Sequence, residues 1–203
     1  MRLFDGGKAP NPRRVRVFLA EKGIEVPLAP VDMGAMGHRA PEIAERNPLR
    51  RLPVLELDDG TVITESVAIC RYFEETSPQP PLFGTGALGK ARVEEWQRRM
   101  ELHLLMPVAH AFRHLHSAMK EWEVPQVAEW GEANKPKALD FLALLDRELA
   151  GREFAAGDAY SIADITGLIA IDFMKPARIA VPEELANVRR WHAALSARPS
   201  ARA

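Results

Sequence analysis

Three groups of residues have types and spacings that could do chemistry. The first is Glu65-Ser66, at the start of a segment in which Ile69, Cys70 and Phe73 recur on one helical face. A helix N-terminus leaves amide donors unpaired and carries about half a positive charge, so a serine there can help it hold a carboxylate. The same placement is also that of an ordinary N-cap. The second group is cationic: Arg39, with His38 beside it, and Arg51. A guanidinium matches a carboxylate through two parallel donors, although most surface arginines are simply solvated. The third is a polar row, His103, His110, His114, His116 and Ser117, in which the first three fall at i, i+7 and i+11 on one helical face. Such a row could hold a water, line a solvated groove or meet another subunit. His110 and His114 also have the spacing of a metal pair, but no third ligand or general base accompanies them, so no metal is expected.

The elements that must position these groups divide the chain in two. Arg2–Asp5 reads as a strand broken by Gly6-Gly7 and Pro10, and Asn11-Pro12 as the N-cap and first residue of a helix that stops at Gly23. A strand over about Val26–Val31 makes a parallel pair through a crossover. Pro53–Leu57 and Thr61–Thr64 flank Asp58-Asp59-Gly60 as a hairpin, and the helix of Glu65-Ser66 follows. Thr76–Gly86 is rich in proline and glycine and reads as a stiff linker. Beyond it the spacing predicts only helices: Leu88–Lys120, bent at Pro107; about Pro125–Ala150; one begun by the capping box Ser161-Ile162-Ala163-Asp164; and about Glu183–Ala197. The domain boundaries expected from this are 1–78, a linker at 79–88, and 89–203.

Composition narrows the function. The 203 residues are 47% hydrophobic and 27% charged, enough for a buried core without staples. With 27 Lys+Arg against 28 Asp+Glu there is no basic excess for nucleic acid. One cysteine excludes an internal disulfide and zinc sites built on several cysteines. No signal-like start or membrane-length apolar run is present, so the expectation is a cytoplasmic protein with neither membrane nor nucleic acid as a partner.

Four stretches, in this order, resemble the cytosolic glutathione transferase family: Pro10–Val17 its first helix start, Asn47–Leu55 its NP…PVL segment, Thr61–Ile69 its E-S-x-A-I segment, and Ala156–Asp164 its G-D-x-x-S-x-A-D segment. The likeness covers essentially the whole chain. It is greatest to a bacterial or fungal branch that lacks the usual catalytic side chain. The resemblance implies an α/β N-terminal thioredoxin-like domain and an all-α C-terminal helical bundle, glutathione as co-substrate, a small hydrophobic electrophile as second substrate, and a homodimer. It also implies a cis Pro53, with the Leu52 backbone pairing to the cysteinyl part of glutathione as an added strand would. Ser66 and Glu65 would take the γ-glutamyl end, Arg51, or Arg39 with His38, the glycine carboxylate, and Lys8 the thiolate.

The family's thiol-holding Tyr, Ser or Cys has no counterpart in Gly6–Asn11. Two substitutes are open. The first is the start of the first helix at Asn11, helped by Lys8, Arg13 or Arg14, since helix N-termini and cations lower a thiol pKa from about 8.5 to roughly 3.5–7.5. The second is a water held by His114 and Ser117. Met106, Phe112, Leu115, Met119 and Trp122 are expected to wall the electrophile pocket. A glutathione-dependent isomerase or reductase, and a non-catalytic glutathione-binding domain, are the alternatives.

Overall fold

The computed structural model describes residues 1–203. It divides into two compact units, Met1–Pro81 with Pro199–Ala203, and Leu82–Arg198. The expected all-helical domain of 89–203 is therefore corrected at its end. Pro199–Arg202 form a 3₁₀ turn in the first unit. There Arg13 donates to the Ala201 carbonyl at 2.8 Å, and Ser200 donates its hydroxyl to Glu21.

In the first unit, strands β1 (Arg2–Asp5), β2 (Leu28–Pro30), β3 (Val54–Glu56) and β4 (Val62–Thr64) form one sheet in the order β2-β1-β3-β4. β1 and β2 are parallel; β3 is antiparallel to both β1 and β4. Helix α1 (Pro10–Lys22) ends where Gly23 adopts φ 65° and the Ile24 amide reaches back to the Leu19 carbonyl at 2.9 Å. Short helix α2 covers Pro41–Arg46, and α3 covers Ser66–Thr76. α3 buries Ile69, Cys70 and Phe73, the face expected from their spacing. These side chains, with Leu3, Val54 and Leu55 of the sheet and Val15 and Phe18 of α1, are out of water. Each such burial stabilises by about 1.5–3 kcal/mol. The far end of α1 is fixed by Lys22, whose fully buried side chain pairs with Glu74 at 2.7 Å and donates to the Ser77 and Pro80 carbonyls at 2.7 Å each.

In the second unit, α4 (Gly86–Arg99) begins inside the segment expected as linker. It continues without a break through a π-helical stretch, Met100–Leu105, into α5 (Met106–Leu115). Pro107 thus produces a widened turn rather than a simple bend: it has no N–H, and its ring would crowd the carbonyl of His103 in a regular helix. The helix stops at Leu115, five residues short of the expected end, because His116 is extended and caps a 3₁₀ turn, Ser117–Met119, by accepting from the Ala118 amide at 3.2 Å. α6 (Ala128–Glu148), α7 (Ile162–Met174) and α8 (Ala186–Ser196) complete the unit. α7 is the central helix and is buried nearly all round. Gly167 lets Trp191 approach it, since a Cβ there would lie 2.4 Å from the indole. The predicted capping box is formed, with Asp164 and Ser161 satisfying each other's backbone.

Candidate functional site

The sheet register gathers the candidate residues of the first unit at one end of the sheet. Val54 stands opposite both Phe4 and Thr64. Continuing these ladders two residues places Leu52 opposite Gly6 on one side and Ser66 on the other. The Leu52 side chain confirms the first approach, since a Cβ on Gly6 would lie 3.3 Å from its Cδ1. The glycine loop after β1, the Leu52-Pro53 bond before β3 and the Glu65-Ser66 step after β4 therefore meet. The Leu52-Pro53 peptide is cis, as the resemblance implied. The Leu52 N–H and C=O have no backbone partner, because β3 begins only at Val54.

Ser66 is the first residue of α3 and is 5% exposed. No side chain caps this helix, so its first amides remain open donors. Glu65 is exposed and held at φ 67°, a conformation costly for a residue with a Cβ. The Ser66 oxygen accepts from Arg14, a buried arginine of α1, at 3.0 Å. One turn further along α3, burial pushes the Cys70 thiol up to about 12, so it is no nucleophile at neutral pH.

The loop before α1 differs from expectation. Ala9, not Asn11, is the residue before the helix, and Arg13 donates to its carbonyl at 3.2 Å. Asn11 is exposed at the second helical position, between Pro10 and Pro12. Because neither proline has an N–H, the first three positions of α1 offer one amide rather than three. The loop is braced by Asp5, whose carboxylate accepts from the Gly7 amide at 3.0 Å and pairs with Arg16, while Arg16 also reaches the Gly7 carbonyl at 3.0 Å. Gly7 itself has φ 61°. Lys8 is exposed in this loop.

The cationic group is larger than the sequence reading made it. Arg39 and Arg51 are exposed, and Arg50, at φ 52°, joins them. His38, expected beside Arg39 as a ligand contact, is instead 4% exposed. Its pKa is lowered by burial and by the charges of Arg39, Arg51 and Arg50, so its ring is neutral at neutral pH. The presenting turn is built by Asn47, which accepts from the Leu49 amide at 3.1 Å and donates to the Arg51 carbonyl at 2.9 Å. Sequence reasoning passed over Asp5, Arg16 and Arg50, and it placed Arg14 beside the thiol rather than behind Ser66. Asn47-Pro48 was a usable signal for Arg50, but Asp5 and Arg16 read as ordinary surface charges.

In the second unit, His114 is already engaged. Its Nδ1 accepts from the Val127 amide at 3.0 Å, and Nε2 lies 3.8 Å from Glu123. An Nδ1 that accepts fixes the proton on Nε2, so His114 can donate to a water but not take a proton from one. Ser117 is exposed, and it lies beyond the helix rather than on it. His110 stacks on His114 at 6.2 Å and meets Trp130 edge-on at 5.7 Å; burial lowers its pKa. His103 stacks on Phe141 at 5.9 Å. No group of three or more metal-ligating side chains is assembled around them. The expected apolar wall does not form one surface: Met106 opens on a groove of about 680 Å³ beside α6, whereas Phe112 packs on Phe173 at 4.9 Å. Leu115 is pressed against Gly131.

An α/β unit with an open serine-headed helix, a cis-proline strand start and an added helical unit define a glutathione-binding class of fold. Residues 9–76 match the family model described as glutathione S-transferase, N-terminal domain, and residues 100–199 the C-terminal domain. The chain belongs to the glutathione S-transferase family. It is 36% identical to glutathione S-transferase 2 of Saccharomyces cerevisiae over 98% of this chain and 87% of that protein. The crystal structure of Gtt2 from Saccharomyces cerevisiae superposes with a TM-score of 0.95 at 36% identity, covering 100% of this chain and 99% of that one. The chain is also 28% identical to maleylacetoacetate isomerase of Pseudomonas aeruginosa, over 81% of this chain and 77% of that protein. No helix is long and apolar enough to cross a membrane.

Proposed function

We propose that the protein is a glutathione transferase that binds glutathione at this end of the sheet and transfers it, as thiolate, to small hydrophobic electrophiles. The observation that carries the reading is the meeting of three open features: the uncapped start of α3 at Ser66, the unpaired Leu52 backbone beside Pro53, and the glycine loop before α1. The γ-glutamyl carboxylate takes the Ser66 hydroxyl and the first amides of α3, while Glu65 accepts from the ammonium group. The cysteinyl backbone pairs with Leu52 as an extra strand. The glycine carboxylate meets Arg39 and Arg51, with Arg50 as a third cation and His38 neutral beside them.

The thiolate rests at the N-terminus of α1, on the Asn11 amide, with Lys8 adding positive charge. It attacks an electrophilic carbon; the C–S bond forms and the leaving group departs with its bonding pair. The same thiolate serves peroxide reduction. A water held by His114 and Ser117 is the other source of activation, and in it His114 acts only as a donor through Nε2. A glutathione-dependent isomerase is a second reading, supported by the likeness to maleylacetoacetate isomerase. A cytoplasmic location suits a co-substrate that must stay reduced. A homodimer is in keeping with the family, and the exposed Leu102, Met106, Trp130 and Leu144 give a second copy an apolar surface to cover.

The test is retention on immobilised glutathione followed by turnover with 1-chloro-2,4-dinitrobenzene and with a peroxide. Retention with turnover is expected. Loss of retention would sink the glutathione site, and retention without turnover would favour the isomerase. If His114→Ala leaves the conjugation rate and its pH profile unchanged, the α1 terminus is the activating group and the water route is excluded.

A further inference from the structure

We infer that Arg14, a buried residue of α1, is a positioning residue for the γ-glutamyl carboxylate of glutathione, acting through Ser66. The inference rests on the glutathione site proposed above. Arg14 is 1% exposed and cannot touch a ligand arriving from solvent. Its Nη1 donates to the Ser66 oxygen at 3.0 Å, and Ser66 is itself 5% exposed at the first position of α3. Helix α1 packs on α3, and this bond sets the guanidinium against the first turn of that helix.

The chemistry follows from the donor inventory. A serine hydroxyl has one donor and two acceptor positions, whereas a guanidinium has donors only. With Arg14 filling an acceptor position, the Ser66 proton has no return path to Arg14. The hydroxyl is thereby fixed as a donor toward the open side, where the ligand carboxylate comes to the helix amides. A donor already polarised by a cation is a stronger donor. Arg14 thus contributes orientation and a permanent positive charge one bond removed from the anion, without forming an ion pair in solvent. Helix α1 then serves two parts of the peptide, its N-terminus facing the thiol and its fifth residue backing the γ-glutamyl carboxylate subsite.

The decisive comparison uses two ligands, glutathione and 4-aminobutyryl-cysteinylglycine, which differ only in the α-carboxylate of the γ-glutamyl group. Titration calorimetry on the wild-type protein should show glutathione bound at least about tenfold more tightly, the scale of a hydrogen bond to a charged group. Arg14→Met should reduce that preference about tenfold while affinity for the truncated ligand stays within twofold. In steady-state kinetics the loss should fall on KM for glutathione rather than on kcat. Arg14→Lys, which keeps a charge and a donor, should restore part of the preference. If Arg14→Met does not fold, Arg14→Gln decides on the same ratio. A wild-type preference that survives in the Arg14 variants overturns the inference. Absence of any preference in the wild type overturns instead the assignment of Ser66 to the γ-glutamyl carboxylate.

Discussion

Replacing Asp164 by alanine should cost much of the fold's stability and leave glutathione binding intact. The carboxylate is fully buried and accepts from the Ala155 amide at 2.8 Å, the Ser161 amide at 2.9 Å, the Ser161 hydroxyl at 2.9 Å and the Trp191 indole N–H at 3.0 Å. It joins the loop before α7, the first turn of α7 and the packing of α8. In Asp164→Ala the hydroxyl can rotate to another acceptor, but three N–H groups lose theirs. Each unsatisfied buried donor costs about 1–3 kcal/mol. Against this, burial pushes the Asp164 pKa up, which means the carboxylate itself pays for leaving water, and its removal refunds part of the loss. The net should be about 3–5 kcal/mol. At about 2–4 °C per kcal/mol for a chain of this length, Tm should fall by about 6–20 °C. Thermal unfolding followed by circular dichroism measures this, and calorimetry at low temperature measures glutathione affinity on the folded variant. A Tm within 2 °C of wild type would refute the donor accounting. A tenfold loss of affinity in folded protein would refute the separation of this cap from the ligand site, whose proposed residues all lie in the first unit.

Lys22→Ala takes the ammonium from the buried Glu74 and one donor each from the Ser77 and Pro80 carbonyls, so urea unfolding should show a loss of about 3–5 kcal/mol; a loss below 1 kcal/mol would mean that water replaces the ammonium. His38 and His110 both titrate below their ordinary value, chiefly through burial. The unfolded chain therefore takes up protons first, and stability should fall as pH drops through about 6.5 toward the lowered folded values while these rings add no slope above it. Urea midpoints between pH 5 and 8 test this, with His38→Gln/His110→Gln expected to flatten the acidic limb.

What the sequence disclosed was local, and what it hid was tertiary. The box at Ser161–Asp164 and the helix start at Glu65-Ser66 are legible because cap chemistry is written in neighbouring residues, whereas the cis bond of Leu52-Pro53 came only from the family resemblance. Even for caps, rules of equal range can compete. Proline favours the first helical position, which argues for Asn11-Pro12 and equally for Ala9-Pro10. The earlier proline prevails, since Arg13 bonds the Ala9 carbonyl and closes the turn two residues sooner. Arg14 was illegible for another reason. Arg13 and Arg14 read alike as cations near the start of α1 that could help the thiolate, and only the packing of α1 on α3 takes Arg14 out of water and turns it toward Ser66.

The histidine row shows the same limit at the scale of a single atom. Spacing put His110 and His114 on one face, and their rings are stacked. Spacing could not reveal that the Val127 amide, thirteen residues away, already uses His114 Nδ1. That bond changes the chemistry available, because a ring that must keep its proton on Nε2 can donate to a water but cannot act as a base. Any deprotonation of glutathione must then send its proton elsewhere, and the thiolate must be favoured by the field at its binding site. In the first of the two proposed routes, a helix terminus with one amide, flanked by Lys8, supplies that field without accepting a proton. The backbone of α1 and Lys8 would then take the place of the missing Tyr, Ser or Cys, and the pH profile of His114→Ala decides between this route and the water.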